Sequence, residues 1–210
     1  MIKNRSLFRR SAVVVASGAA SLVLAACGSG DESSEGHSGH TSKSPTASAS
    51  APTAQGQHNA ADVAFAKGMI PHHRQAVEMA DLAPSRAESA EVKQLAADIK
   101  KAQDPEIKTL SGWLTAWGEQ VPAEGAMDHS THGAGGMMTA EEMDKLENSS
   151  GKAFDTAFME MMIKHHEGAV SMAGMAKTDG IFPDAKKMAD AIIASQTAEI
   201  TKMKDLLGKS

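Results

Sequence analysis

Tyrosine is absent from this chain of 210 residues, and Cys27 is its only cysteine. A single thiol excludes an internal disulfide and any zinc site built on two thiolates. Soft-metal chemistry therefore has to run through thioethers and imidazoles. Basic residues are few and unevenly placed. Lys3, Arg5, Arg9 and Arg10 lie in the first ten positions; without them the 21 Lys and Arg fall to 17 against 26 acidic residues, a net charge near −9. That balance argues against nucleic acid as a partner. No segment sustains a two-residue alternation, so no sheet is expected. No Ser/His/Asp order, phosphate-cradling loop or paired acid/base signature is present, and the expectation is a protein that is not an enzyme. Methionine, by contrast, is abundant at 14 residues.

The front of the chain reads as an address. The basic start is followed by a small, apolar run from Ala12 to Ala26, too short for a good transmembrane span, which matches the charged and apolar regions of an export signal. It ends in Leu24-Ala25-Ala26-Cys27, which resembles the lipobox of bacterial lipoproteins. Residues 1–26 are then the signal peptide, and Cys27 is the lipidated anchor on the outer side of the cytoplasmic membrane or in the periplasm. The pair Arg9-Arg10 is compatible with twin-arginine export. Residues 27–58 are Gly, Ser, Ala, Thr, Pro and His with almost no large apolar side chains. They have nothing to bury and are expected to be a disordered tether, with His37, His40 and His58 along it.

The rest of the chain is a duplication, which fixed-period self-similarity reveals. At an offset of 93 residues, Asp62 to Ala80 lies over Asp155 to Ala173 with 11 of 19 positions identical, and Gln103-x-x-Glu106-Ile107 lies over Gln196-x-x-Glu199-Ile200. Each copy reads as a helical hairpin: residues 59–117 the first, 152–210 the second, joined by a His-, Met- and Gly-rich connector at 118–151 that contains a short helix. In the first hairpin, Asn59 caps a helix over 60–82, and Ser85-x-x-Glu88 is a capping box for a second helix that runs to about 117 through Pro105. Thr139-x-x-Glu142 opens the short helix, which breaks near Ser149-Ser150-Gly151. A helix over 152–177 follows, then a turn at Gly180-Ile-Phe-Pro183 and a last helix to Leu207. The expected fold is all-α: an antiparallel four-helix bundle built from two tandem helical-hairpin repeats with pseudo-twofold symmetry.

Chemistry concentrates on one helical face. At 100° per residue, Phe65, Met69, His72, His73, Ala76, Met79, Ala80 and Ala83 fall within an arc of about 120°. Their counterparts Phe158, Met162, His165, His166, Ala169, Met172, Ala173 and Ala176 occupy the same arc. The alanines let a partner backbone approach closely. Brought together by the twofold, the two faces would join four imidazoles to four thioethers. Burying a neutral imidazole without partners costs roughly 1–3 kcal/mol, so this face points to metal. Imidazole with thioether suits Cu(I) best, and imidazole also accepts Cu(II). A Met stripe also serves as core filler, and a lone inward His as a satisfied core residue; the doubling of the pattern in register distinguishes this one. Met127, His129, His132, Met137 and Met138 in the connector form a candidate second, solvent-exposed copper site. Gln103, Glu106, Gln196 and Glu199 are candidate acceptors that orient the histidines.

Met69-Ile70-Pro71-His72-His73 with Ala76 and Met79, then Gln103-x-x-Glu106-Ile107, resembles the bacterial domain-of-unknown-function family numbered 305. Met162-Ile163-x-His165-His166 with Met172 repeats the motif, with Lys164 where the first copy has Pro71. The resemblance spans residues 60–210. It implies an exported protein with a ferritin-like four-helix fold and a role in copper binding or copper resistance outside the cytoplasm. It also implies His72, His73, His165, His166, Met69, Met79, Met162 and Met172 as ligands. The expected function is sequestration or delivery of copper, with copper ions, the membrane through Cys27 and another copper-handling protein as partners. Two other functions compete: a structural or interaction lipoprotein without metal, and a ferritin-like di-iron oxidase. The second requires Glu-x-x-His pairs and bridging carboxylates, and the chain has no Glu-x-x-His.

Overall fold

A computed structural model describes residues 56–124 and 134–208. Every regular element in it is helical: α1 (Ala60–Arg86), α2 (Ala90–Ala116), a 3-10 turn (Ala134–Gly136), α3 (Ala140–Glu147), α4 (Gly151–Asp179) and α5 (Pro183–Leu207). Asn59 caps α1 in a full capping box with Asp62, and Thr139 with Glu142 does the same for α3. The first hairpin turns later than the local pattern indicates. Ser85 is not a cap, because its hydroxyl donates to Leu82 O at 3.2 Å inside a helix that continues past Pro84 to Arg86. Ser89 caps α2 instead, accepting from Glu91 N and Val92 N.

The two hairpins interlock through a pair of equivalent carboxylates. Asp62, buried at the start of α1, accepts from Ile181 N and Phe182 N (3.1 Å to one of its oxygens in each case) where the α4–α5 turn leads into α5. Asp155, at the start of α4, accepts from Glu88 N at 3.1 Å and Ser89 N at 2.8 Å where α2 begins. Each copy thus satisfies free amides at a helix start in the other copy, where a negative charge is favoured.

α1 and α4 form the central antiparallel pair, and α2 and α5 each cover their own hairpin partner. The apolar core is divided into two clusters. One gathers the C-terminal half of α1 (Ala76, Met79, Ala80, Ala83), the start of α2 (Val92, Leu95, Ile99) and the N-terminal half of α4 (Phe154, Phe158, Met162). The other gathers the opposite halves, with Phe65, Met69 and Ile70 against Leu110, Leu114, Ala169, Ala173 and Ile192. The four histidines lie between them. At the outer end of the second cluster, both tryptophans of the chain meet Phe182 edge-on with centroids 5.3 Å away, and His58 stacks on Trp117 at 4.4 Å. No described helix is long and apolar enough to cross a membrane.

Candidate metal centre

Positions i+3 and i+4 from Met69 and Met162 carry the paired histidines, so each pair shares the inward stripe of its helix. All four are fully buried or nearly so, as are Gln103 and Gln196 beside them. The rings of His72 and His165, equivalent across the repeat, meet with centroids 3.8 Å apart. Such an approach of α1 to α4 is possible because Ala76, Ala80, Ala169 and Ala173 line the same seam.

The outer nitrogens of the layer are held. His73 Nε2 donates to Glu106 Oε2 at 2.7 Å, and His166 Nε2 to Glu199 Oε2 at 2.6 Å. Both carboxylates stand 33 residues beyond their histidines, so the duplicated motif is realised as a duplicated contact. His72 Nε2 donates to the Gly135 carbonyl at 2.8 Å. A carboxylate or carbonyl accepts only, so in each neutral ring the hydrogen sits on Nε2 and the Nδ1 lone pair is left over. His72, His73 and His166 each have a buried Nδ1 without a partner, and His165 has neither nitrogen partnered. Five of eight imidazole nitrogens in this buried layer thus have no hydrogen-bond partner, as is the case for the Oε1 atoms of Gln103 and Gln196. Burial drives His72 down to a pKa of about 3, against the Gly135 hydrogen bond, which acts the other way. Burial also holds His165 well below the ordinary imidazole value. These two rings are neutral at any physiological pH, the form in which imidazole binds a metal.

Among the described residues no three His, Cys, Asp or Glu side chains form a metal cage on their own. Met69 and Met162 are fully buried on either side of the layer, and Met79 is fully buried in the first cluster. Met172 departs from the expected inward face. It is half-buried, with its Sδ over α1, 3.6 Å from where a Cβ on Gly68 would stand. Met159 is buried as well, in the first cluster.

The connector breaks the twofold symmetry. Gln75 on α1 grips it at two points, accepting from Met138 N at 2.7 Å and donating to Met138 O at 2.8 Å. Next to it, Arg74 donates to Pro122 O and Ala123 O at 2.7 and 3.0 Å. At the position of α4 equivalent to Gln75 stands Gly168, where any Cβ would run into the Gly135 carbonyl and come within 2.9 Å of Gly136 N. One copy supplies the clamp and the other the space. Of the candidate second site, Met138 is 3% exposed and lies in the first cluster, Met137 is half-buried, and Met127, His129 and His132 fall outside the described residues, as do Cys27, His37 and His40. The sequence reading missed Gln75, Gly168 and the Gly135 carbonyl. Their signal was the unlike pair Gln75 and Gly168 inside an otherwise well-matched repeat.

Three solved structures show what the chain is similar to. A DUF305 protein from Streptomyces coelicolor, assigned as secreted, is 35% identical over 71% of this chain and 93% of its own, with a TM-score of 0.64. CopM in its Cu(I)-bound form is 38% identical over 70% of this chain and 96% of its own, with a TM-score of 0.59. CopM in its Cu(II)-bound form is 36% identical over the same shares, 70% and 96%, with a TM-score of 0.62. No curated protein matches the chain. The model of the family described as a domain of unknown function, DUF305, matches residues 62–207. The motif that repeats at 93 residues, the helical architecture and the matched span agree: this chain belongs to the DUF305 family.

Proposed function

We propose that the protein binds copper outside the cytoplasm, anchored by a lipid on Cys27, and sequesters it or hands it on without catalysing a reaction. The observation that carries this reading is the buried layer of His72, His73, His165 and His166, in which five ring nitrogens lack partners. At about 1–3 kcal/mol for each unsatisfied group, packing alone does not explain four such rings. The donor set fits copper. Three of the four rings expose a lone pair whose direction is fixed by an acceptor on the far nitrogen, an arrangement that raises ligand basicity. Buried Met69, Met79 and Met162 add soft sulfur, which suits Cu(I). Three structures of one relative support the same class of ion, since CopM is described with Cu(I), Cu(II) and Ag bound. The family resemblance and the lipobox-like run ending at Cys27 support export.

A di-iron oxidase needs carboxylates free to bridge metals. Here Glu106 and Glu199 accept from histidines, and Asp62 and Asp155 accept from the ends of the opposite hairpin. A purely structural lipoprotein remains the competing reading, and thermal unfolding separates the two. Free Cu(I) at 100 times its dissociation constant stabilises the folded state by about 2.7 kcal/mol, a rise in Tm of roughly 5–10 °C for a domain of this size. An unchanged Tm under saturating Cu(I), in a Cys27→Ser background that removes the competing thiol, would establish the structural reading.

A further inference from the structure

The two ends of the bundle place the connector and the thioethers differently. At the first cluster, Met138 of the connector is inserted into the core and Gln75 clamps it there. At the other end an open groove of about 250 Å³ lies between the start of α1 and the end of α4. Its walls are Ala61, Ala64, Phe65 and Ala176, with Met172 and Met175 as its only sulfur atoms and Asp179 among its lining residues. Met175 is 56% exposed, one of two large hydrophobic side chains so open among the described residues.

The repeat shows how this end differs. The counterpart of Met175 is Leu82, that of half-buried Met172 is fully buried Met79, and that of Gly68 is Met161. A thioether thus stands in place of Leu, and glycine in place of a bulky residue, at this end. Met172 and Met175 are three residues apart on α4 and share one helical face. On the inner side, the Met172 Sδ lies 3.8 Å from where a Cβ on Gly135 would stand. The Gly135 carbonyl is the acceptor of His72 Nε2 at 2.8 Å. Running inward, the order is exposed thioether, half-buried thioether, then the glycine that touches the histidine layer.

We propose that Met175 and Met172 form a surface relay through which Cu(I) reaches the histidine layer. The relay rests on the copper reading above. Weak thioether ligands suit a relay, because a soft monovalent ion can be held and passed on by ligand exchange with no change of oxidation state. The apolar walls offer no competing donor, and the Asp179 carboxylate favours a cation in the groove.

Stopped-flow transfer of Cu(I) from a weak chromogenic chelator to the Cys27→Ser protein tests the relay, with both the rate and the final copper content recorded. Met175→Leu keeps the side-chain volume at an exposed position. It is expected to slow transfer about tenfold, equivalent to about 1.4 kcal/mol in the barrier, with the final copper content unchanged. Gly68→Leu places side-chain bulk against the Met172 Sδ without removing a sulfur and is expected to slow transfer likewise. Loading of both variants at the parent rate would overturn the relay while leaving the copper reading intact. A lowered final content in Met175→Leu would also overturn it, since Met175 would then be a resident ligand. Failure of the parent to load at all would sink the copper reading, and the relay with it.

Discussion

Replacing Gly168 by Ala is expected to destabilise the protein, against the ordinary sign of that change inside a helix. Alanine in a helix interior is favoured over glycine by about 0.8–1 kcal/mol. At Gly168, however, the new methyl would overlap the Gly135 carbonyl, a backbone atom that no rotamer change can clear. The connector would have to retreat by about 2 Å to restore an ordinary contact of about 3.5 Å. Such a shift breaks the Gly135–His72 hydrogen bond and both Gln75–Met138 bonds. At about 1 kcal/mol each, these amount to about 3 kcal/mol. Lifting Met138 out of the first cluster costs roughly 2 kcal/mol more. After subtracting the helix gain, the net loss is about 4 kcal/mol. Gly174, six residues along the same helix, is the control, because a Cβ there meets nothing within 4 Å. Gly174→Ala is expected to gain about 0.5–1 kcal/mol. Urea unfolding followed by circular dichroism reads both. If Gly168→Ala is as stable as the parent or more so, the connector is not docked where the structure puts it.

Glu106→Gln and Glu199→Gln together should leave the fold intact and weaken Cu(I) binding about 10- to 100-fold, because a neutral acceptor no longer raises the basicity of His73 and His166; parental affinity in a chelator competition would make these two residues ordinary bundle polars. The copper-free protein should lose stability as pH falls from 6.5, since His72 and His165 refuse in the folded state protons that the unfolded chain accepts. His72 alone, with its pKa near 3, accounts for a loss of about 1.6 kcal/mol between pH 6.5 and 5, and His165 adds in the same sense. A flat stability profile over that window in urea titrations would show that neither ring is buried neutral. Asp62→Asn should cost about 2 kcal/mol, because it replaces a charged acceptor shared by Asn59 N, Ile181 N and Phe182 N; a loss below about 0.5 kcal/mol in urea unfolding would remove the interlock from the account.

Much of the fold was legible because its periodicities are strong. The duplicated stripe named Phe65, Met69, His72, His73, Ala76 and Met79 as one face, and all of them are buried. Asn59, Thr139 and Glu142 revealed helix starts through local capping chemistry. The error at Ser85 has the opposite origin. The α2 start is fixed by Ser89 together with Asp155, 66 residues away, and no local pattern contains that partner. Met172 was placed by symmetry, and symmetry fails there because the connector docks on one side only, through Gln75, Gly168 and the left-handed glycines at 135 and 136. The hydrogen bonds of Glu106 and Glu199 to the histidines followed from an offset repeated in both copies, whereas the use of Asp62 and Asp155 as cross-hairpin caps could not be read from local sequence.

The central claim is that the histidine layer holds copper, and a competition for Cu(I) against a chromogenic chelator tests it most directly. The parent protein and the variant with His72, His73, His165 and His166 all changed to Ala are compared in the Cys27→Ser background, with folding checked by circular dichroism. The account predicts that the parent strips copper from the chelator and that the folded variant does not. Equal competition by the two would contradict it and place the copper site elsewhere in the chain.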